Sequence, residues 1–211
     1  MKDKINISEL FKIDKNIVGY FWLIFLILII DHTIKIIVYN SLDLHEEIRI
    51  IGDWFKIQLE LNDGTAFAIP FNNELDRYSK IIIKILSLFA LLFALLYLLN
   101  KKESKLLIFG LALCLAGTLG NLIDRIFYGV LINNALEIYP NKWFHGRVID
   151  MFSFQLFEFH IPNWFPIIGG NNYIIFEPIF NFADMVLVIG GIVSVIGLIK
   201  IRYDKKLIQK I

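Results

Sequence analysis

The chain has 211 residues, 57% of them hydrophobic and 19% charged, with a net charge of +1. Its mean hydropathy is +0.63, and its apolar content stands well above the roughly 45–50% of ordinary soluble domains. Intrinsic disorder is excluded because it needs low hydrophobicity and high net charge. A disulfide scaffold is excluded by the single Cys114, and the near-zero charge offers no basic field for nucleic acid. What remains is one integral membrane domain over residues 1–211.

A hydrocarbon core of about 30 Å takes roughly 20 apolar helical residues to cross. Four segments fit: 17–38, 81–99, 106–123 and 179–199. They are expected to be helices, since lipid satisfies no backbone hydrogen bond. The lysines before the first segment resemble the start of a secretory signal. No small-residue cleavage site follows, so the segment reads as a retained span. Lys2, Lys4, Lys12 and Lys15, then Lys101, Lys102 and Lys105, then Lys200, Arg202, Lys205, Lys206 and Lys210 all fall on one side of such a bundle. By the bias of basic residues toward the cytoplasm, both termini are cytoplasmic. The long connections 39–80 and 124–178 then face outward.

In the first connection, Phe55, Ile57, Leu59 and Leu61 alternate with Lys56, Gln58 and Glu60, the period of a half-buried strand. Glu47–Ile51 is a weaker partner strand, so an outer β region is expected at about 45–70. Asn62-Asp63-Gly64 reads as a turn, and Asn72-Asn73 as a cap for a helix entering the second span. The second connection, about 126–178, reads as an enlarged loop. The fold class is thus mainly α: four membrane helices with a small extracytoplasmic β-sheet, a cradle, and that loop.

Ionisable groups within spans are costly and are functional candidates by default. In this topology Asp31 and Lys35, Asn121, Asp124 and Arg125, and Asn181 and Asp184 all converge on the outer interface, with Asp150 in the outer connection. Asp31 and Lys35, four apart on one helix face, read as an ion pair. Asn121, Asp124 and Arg125 are compatible with a simple helix end. Lys84 is expected to snorkel to the outer interface, and Cys114 to pack as a small apolar residue. Gly110, Gly117, Gly120, Gly190, Gly191 and Gly197 suit close helix contact. The four histidines show no metal-ligand spacing. Asp150 and Asp184 differ: each is acidic within an apolar stretch with no basic neighbour in sequence. Brought together, such a pair divides one proton between a general acid and a general base, and activates water against a peptide carbonyl.

Five blocks carry a resemblance. Asp31-His32-Thr33-Ile34-Lys35, Asn62-Asp63-Gly64-Thr65-Ala66-Phe67, Gly117 through Arg125, Val148-Ile149-Asp150-Met151-Phe152 and Phe180-Asn181-Phe182-Ala183-Asp184 follow in order the motifs of bacterial lipoprotein signal peptidase, signal peptidase II, which the chain resembles. The resemblance implies an aspartic endopeptidase of the bacterial inner membrane. It would remove the signal peptide from diacylglyceryl-modified prolipoproteins just before the lipidated cysteine, without cofactor or metal, as a monomer among membrane lipids. It implies Asp150 and Asp184 as the catalytic dyad. Asn62, Gly64, Asn121, Asp124, Arg125 and Asn181 are implied as supporting residues, with Asp31 and Lys35 holding the first helix. The chain departs from the family in its longer spacings from Arg125 to Asp150 and from Asp150 to Asp184. The aromatic, proline-containing insertion suggests a lid or membrane anchor. An ion-coupled transporter also places charges in membranes, but these polar groups gather at one interface and do not line a route across. In a purely structural membrane protein the converging carboxylates would have no use.

Overall fold

The computed structural model describes residues 15–63, 74–100, 104–137, 139, 141–164, 170 and 172–208. Four helices are long and apolar enough to cross a membrane: α1 (Lys15–Ser41), α2 (Glu74–Asn100), α3 (Lys105–Ile123) and α4 (Phe182–Ile208). Helix α3 does not stop at Ile123. It runs on through a π-helical stretch, Asp124–Tyr128, and a last turn, Gly129–Leu131. Such π segments recur at functional sites because they re-aim side chains within a helix.

Helix α3 is the most enclosed of the four, and Ala112 and Ala116 on it are fully buried. Ile24 and Ile27 of α1, Leu95 of α2 and Val186 of α4 pack around it. Its closest partner is α4. A Cβ at Gly110 would stand 2.6 Å from Ser194 N and 2.8 Å from Gly190 O, so only glycine permits this backbone approach. Gly191, expected at the same contact, faces open space. The outward faces carry Phe21, Trp22, Phe93 and Val188, the apolar coat a bilayer requires.

At one end of the helices lies an antiparallel sheet in the order β1 (Glu47–Ile51), β2 (Phe55–Asn62), β3 (Val148–Phe154) and β6 (Ile179–Phe180). A hairpin of β4 (Phe157–His160) and β5 (Asn172–Phe176) stands apart. The connection expected as a loop contains the strands β3, β4 and β5, and β3 is an inner strand of the sheet. Local alternation hides this, because Val148, Ile149, Asp150 and Met151 are all buried. Strands buried on both faces lose the period of two. The fourth hydrophobic stretch also begins differently from the expectation. Ile179 and Phe180 are β6, and the helix starts only at Phe182. Along β2 the expected alternation is corrected too: Lys56 and Gln58 are more buried than Phe55 and Ile57. Lys56 is covered by the opposite charges of Glu47 and Glu177. A second apolar cluster of Val38, Leu42, Leu59, Tyr128, Ile149 and Met151 seats the sheet on α1 and the π segment.

Candidate active site

The geometry is built from three places where secondary structure ends or bends. Asn181 caps α4. Its Oδ1 accepts from Asp184 N at 2.9 Å, and Asp184 Oδ2 accepts from Asn181 N at 3.3 Å. This is a reciprocal capping box in which the acid at the third helical position is an aspartate. Strand β3 brings Asp150 alongside, and Asn181 Nδ2 donates to Asp150 Oδ1 at 2.6 Å. Asn62, at the end of β2, donates to Asp150 Oδ2 at 2.9 Å. On α3, Asn121 Nδ2 donates to Asp184 Oδ1 at 2.7 Å, while its Oδ1 accepts from Asn181 Nδ2 at 3.0 Å. The two carboxylates are thus joined through two amides.

The orientation of those amides follows from what surrounds them. Lys35 Nζ can only donate and lies 3.1 Å from Asn121 Oδ1, so the Nδ2 of Asn121 must face Asp184. Asp184 N likewise claims Asn181 Oδ1, which turns the Nδ2 of Asn181 to Asp150. Lys35 itself is fully buried between Asp31 at 2.7 Å and Asp124 at 2.6 Å. Asp31 Oδ1 in turn accepts from Ala183 N at 2.8 Å, one residue before Asp184. Asp31 and Lys35 therefore pair with each other and also tie the first helix to the start of the fourth.

Asp31, Lys35, Asn62, Asn121, Asp124, Asp150, Asn181 and Asp184 thus form one polar cluster, in which Asn62 and Asp184 are half-buried and the rest buried. Arg125 is buried in the same π segment, 4% exposed. Gly64 and the expected cap at Asn72-Asn73 lie outside the described residues. Two participants escape sequence reasoning. His32 Nδ1 lies 2.7 Å from the Tyr128 hydroxyl and 3.4 Å from Asp124 Oδ1. Lys84, expected at the membrane interface, lies within Coulombic reach of Asp184, Asp124 and Arg125. The position of His32 beside Asp31 is one available signal. Tyr128 gives none, whereas Lys84 is visible as a charge at the start of an apolar span.

Asp31, His32 and Asp124 place three candidate ligand atoms within 4.8 Å of one another. The donor set does not suit a metal, because the Lys35 ammonium already stands between the two carboxylates. Asp150 is 3% exposed. Burial, with the Asp184 charge adding to it, pushes its carboxyl up to about 6, although the hydrogen bonds from Asn62 and Asn181 and the charge of Lys35 oppose the rise. A carboxyl there can accept and return a proton near neutral pH. Beside Asp184 a groove of about 410 Å³ is lined by Phe180, Met185, Val188 and Ile189. Val188 is 62% exposed on the outer face of α4, so the groove opens toward the surface that faces lipid.

A family model described as signal peptidase (SPase) II matches residues 23–200. The chain belongs to the signal peptidase II family. Among similar proteins, the lipoprotein signal peptidase of Porphyromonas gingivalis is 36% identical over 184 residues, covering 82% of this chain and 80% of that protein. The lipoprotein signal peptidase of Amoebophilus asiaticus is 34% identical over 182 residues, covering 83% and 75%. A bacterial membrane enzyme solved by the in meso method at 2.3 Å resolution superposes with a TM-score of 0.61 at 23% identity, over 90% of this chain and 92% of that one. That likeness concerns the fold: four membrane helices with a small antiparallel sheet. This signal peptidase II family member is accordingly a multi-pass membrane peptidase.

The inserted segment before β3 is fastened to the π segment. Asn134 Nδ2 donates to Arg147 O at 2.8 Å, and Arg147 Nε to Asn134 O at 2.7 Å. Phe144 N reaches Ile126 O at 3.2 Å, and Gly146 N reaches Arg125 O at 3.1 Å. Trp143 packs edge-on against Phe127. Trp143 and Phe144 remain 45% and 40% exposed.

Proposed function

We propose that the enzyme cleaves diacylglyceryl-modified prolipoproteins immediately before the lipidated cysteine, with Asp150 and Asp184 as an aspartic dyad. The observation that carries this reading is the bridge between the two carboxylates. Asn181 and Asn121 join residues 34 positions apart in sequence at the mouth of a groove open to lipid. In the proposed reaction the ionised member of the pair takes a proton from water, and the resulting hydroxide adds to the scissile carbonyl. The protonated member donates to the carbonyl oxygen. Collapse of the tetrahedral adduct then breaks the C–N bond: the newly protonated carboxyl gives its proton to the leaving amine and the other carboxylate takes back a hydroxyl proton of the adduct, which restores the pair. Net, one water is consumed and two chain ends are made.

The geometry suits a lipid-anchored substrate. A diacylglyceryl group stays in the bilayer and holds its cysteine near the interface, so the peptide has only to settle laterally into a groove lined by Met185, Val188 and Ile189. In this reading the sheet end of the bundle faces away from the cytoplasm and both termini face it. The exposed Trp143, Phe144 and Trp164 suit an anchor at the membrane surface. Deleting residues 134–144 is then expected to weaken cleavage of membrane-bound substrate, and unchanged kinetics would reject the anchor.

The reading is tested by reconstituting the protein with a diacylglyceryl prolipoprotein and following signal-peptide release. Asp150→Asn and Asp184→Asn should each lower turnover by at least about 10²–10⁴-fold, the usual contribution of a positioned acid or base, while the protein stays folded. Normal turnover by either variant defeats the dyad.

A further inference from the structure

Strand β6 is only two residues long, yet it sets the position of everything that follows. It pairs with β3 through Phe152 opposite Phe180 and Ser153 opposite Ile179. Asn181 comes next, then Asp184. So short a ladder has little hold of its own, because each hydrogen bond replaces one to water and contributes only modestly on balance. A slip of one residue would turn every side chain to the other face. Asn181, Asn121 and Asp31 hold the segment that follows β6, but the register of β6 itself against β3 calls for a fastening on the strand side.

A polar cluster lies at that junction. Lys56 of β2 is 8% exposed and its cross-strand partner on β3 is Ser153, which is fully buried. Glu177 stands just before β6. Its Oε1 accepts from Lys56 Nζ at 3.2 Å and from Ser153 Oγ at 3.0 Å. Glu47 of β1 meets the same ammonium at 3.2 Å. Phe154 N donates to Pro178 O at 3.3 Å, and the Phe154 and Phe180 rings stack 5.6 Å apart. Burial disfavours charge on Lys56, but Glu47 and Glu177 outweigh it and raise its pKa; Glu47 is held below its usual range, chiefly by Lys56. The clasp is therefore charged, and no step of the proposed reaction uses it.

We infer that Lys56 and Glu177, closed onto the Ser153 hydroxyl, are positioning residues of the peptidase: the clasp locks β6 onto β3 and so fixes Asn181 and Asp184 against Asp150. A buried ammonium closed by a half-buried carboxylate is well suited to this task, because a displaced register leaves Lys56 unpaired, whereas apolar contacts alone tolerate sliding. The clasp ties β2 and β3 to the segment that enters β6, and lies three residues from Asp150 and four from Asn181 in sequence. A shift of about 1 Å at a reacting group can cost on the order of 100-fold in rate, so a clasp outside the groove can govern turnover without touching substrate.

The inference rests on the dyad reading and is tested with it in one assay. Lys56→Met, Glu177→Gln, Ser153→Ala and the double variant Lys56→Met/Glu177→Gln are compared with Asp150→Asn, per amount of folded enzyme, on a diacylglyceryl prolipoprotein. Each single clasp variant should lower kcat by roughly 10-fold to 100-fold with KM little changed, and should displace the pH profile of kcat. The double variant should fall no further than the worse single, and Lys56→Arg should keep most of the activity. Parental kcat and pH profile in folded Glu177→Gln and Ser153→Ala, with Asp150→Asn inactive, overturn the clasp alone. Activity in Asp150→Asn overturns the dyad and the clasp with it. Should Lys56→Met fail to fold, Glu177→Gln, which keeps the shape of the side chain, decides the matter.

Discussion

Asn181 Nδ2 stands 2.6 Å from Asp150 Oδ1, linking a strand residue to a helix cap 31 positions later in the sequence. The same side chain caps that helix through Asp184 N, so one asparagine both caps a helix and holds a carboxylate. The two roles separate by substitution. Asn181→Ser keeps a good cap but is too short to reach Asp150, whereas Asn181→Ala loses both and should cost about 1 kcal/mol in stability. Thermal unfolding in detergent should therefore show Asn181→Ser close to the parent, with turnover reduced by on the order of 10-fold or more. Parental turnover in Asn181→Ser would remove the bridge from the mechanism.

The acid limb of the pH profile should report Asp150. Burial first, then the charge of Asp184, holds its carboxyl up at about 6. If its ionised form is required, kcat/KM falls as pH drops through that value. Asn62 donates to the carboxylate and favours the ionised form, so Asn62→Ala should move the limb to higher pH. A limb that stays in place or moves to lower pH contradicts the assignment.

Lys35 should be the most destabilising single site in the cluster. Replacing it with Met leaves Asp31 and Asp124 buried, close together and without their cation, and removing one partner of a buried pair typically costs about 3–5 kcal/mol. Lys35→Met should accumulate poorly and unfold at a markedly lower temperature. Neutralising one carboxylate in Lys35→Met/Asp31→Asn should recover part of the loss. An unchanged melting temperature in Lys35→Met would mean that the pair does not hold α1 to α4.

Chelation should leave the enzyme active. Asp31, His32 and Asp124 offer three ligand atoms, but the Lys35 ammonium stands 2.7 and 2.6 Å from the two carboxylates and occupies the place of a cation. Turnover measured with and without EDTA should agree within error. Loss on chelation and recovery on adding a divalent ion would overturn this view.

Much of the architecture is legible in the sequence because the bilayer simplifies the problem. Long apolar runs must be helices in lipid, and a charge inside such a run draws notice. Asp184, followed directly by Met185-Val186-Leu187-Val188, needs no structure to be singled out. The misreadings share another cause. The start of α4, the burial of Lys56 and Gln58 and the sheet within 126–178 all depend on strands that pair across long stretches of chain. Lys56 looks like a solvated residue until Ser153 and Glu177, 121 positions away in the case of Glu177, are brought over it.

The sequence alone determined that this is a four-span membrane protein with a few acidic and amide residues at one interface, since hydropathy and helical period are local properties. Only the tertiary structure decided how those residues meet. Asp150 becomes a partner of Asp184 because β3 enters the sheet between β2 and β6, and because Lys35 fixes which end of Asn121 faces the carboxylate. Hydrogen-bond direction and strand register are set by neighbours distant in sequence, and no local pattern encodes them.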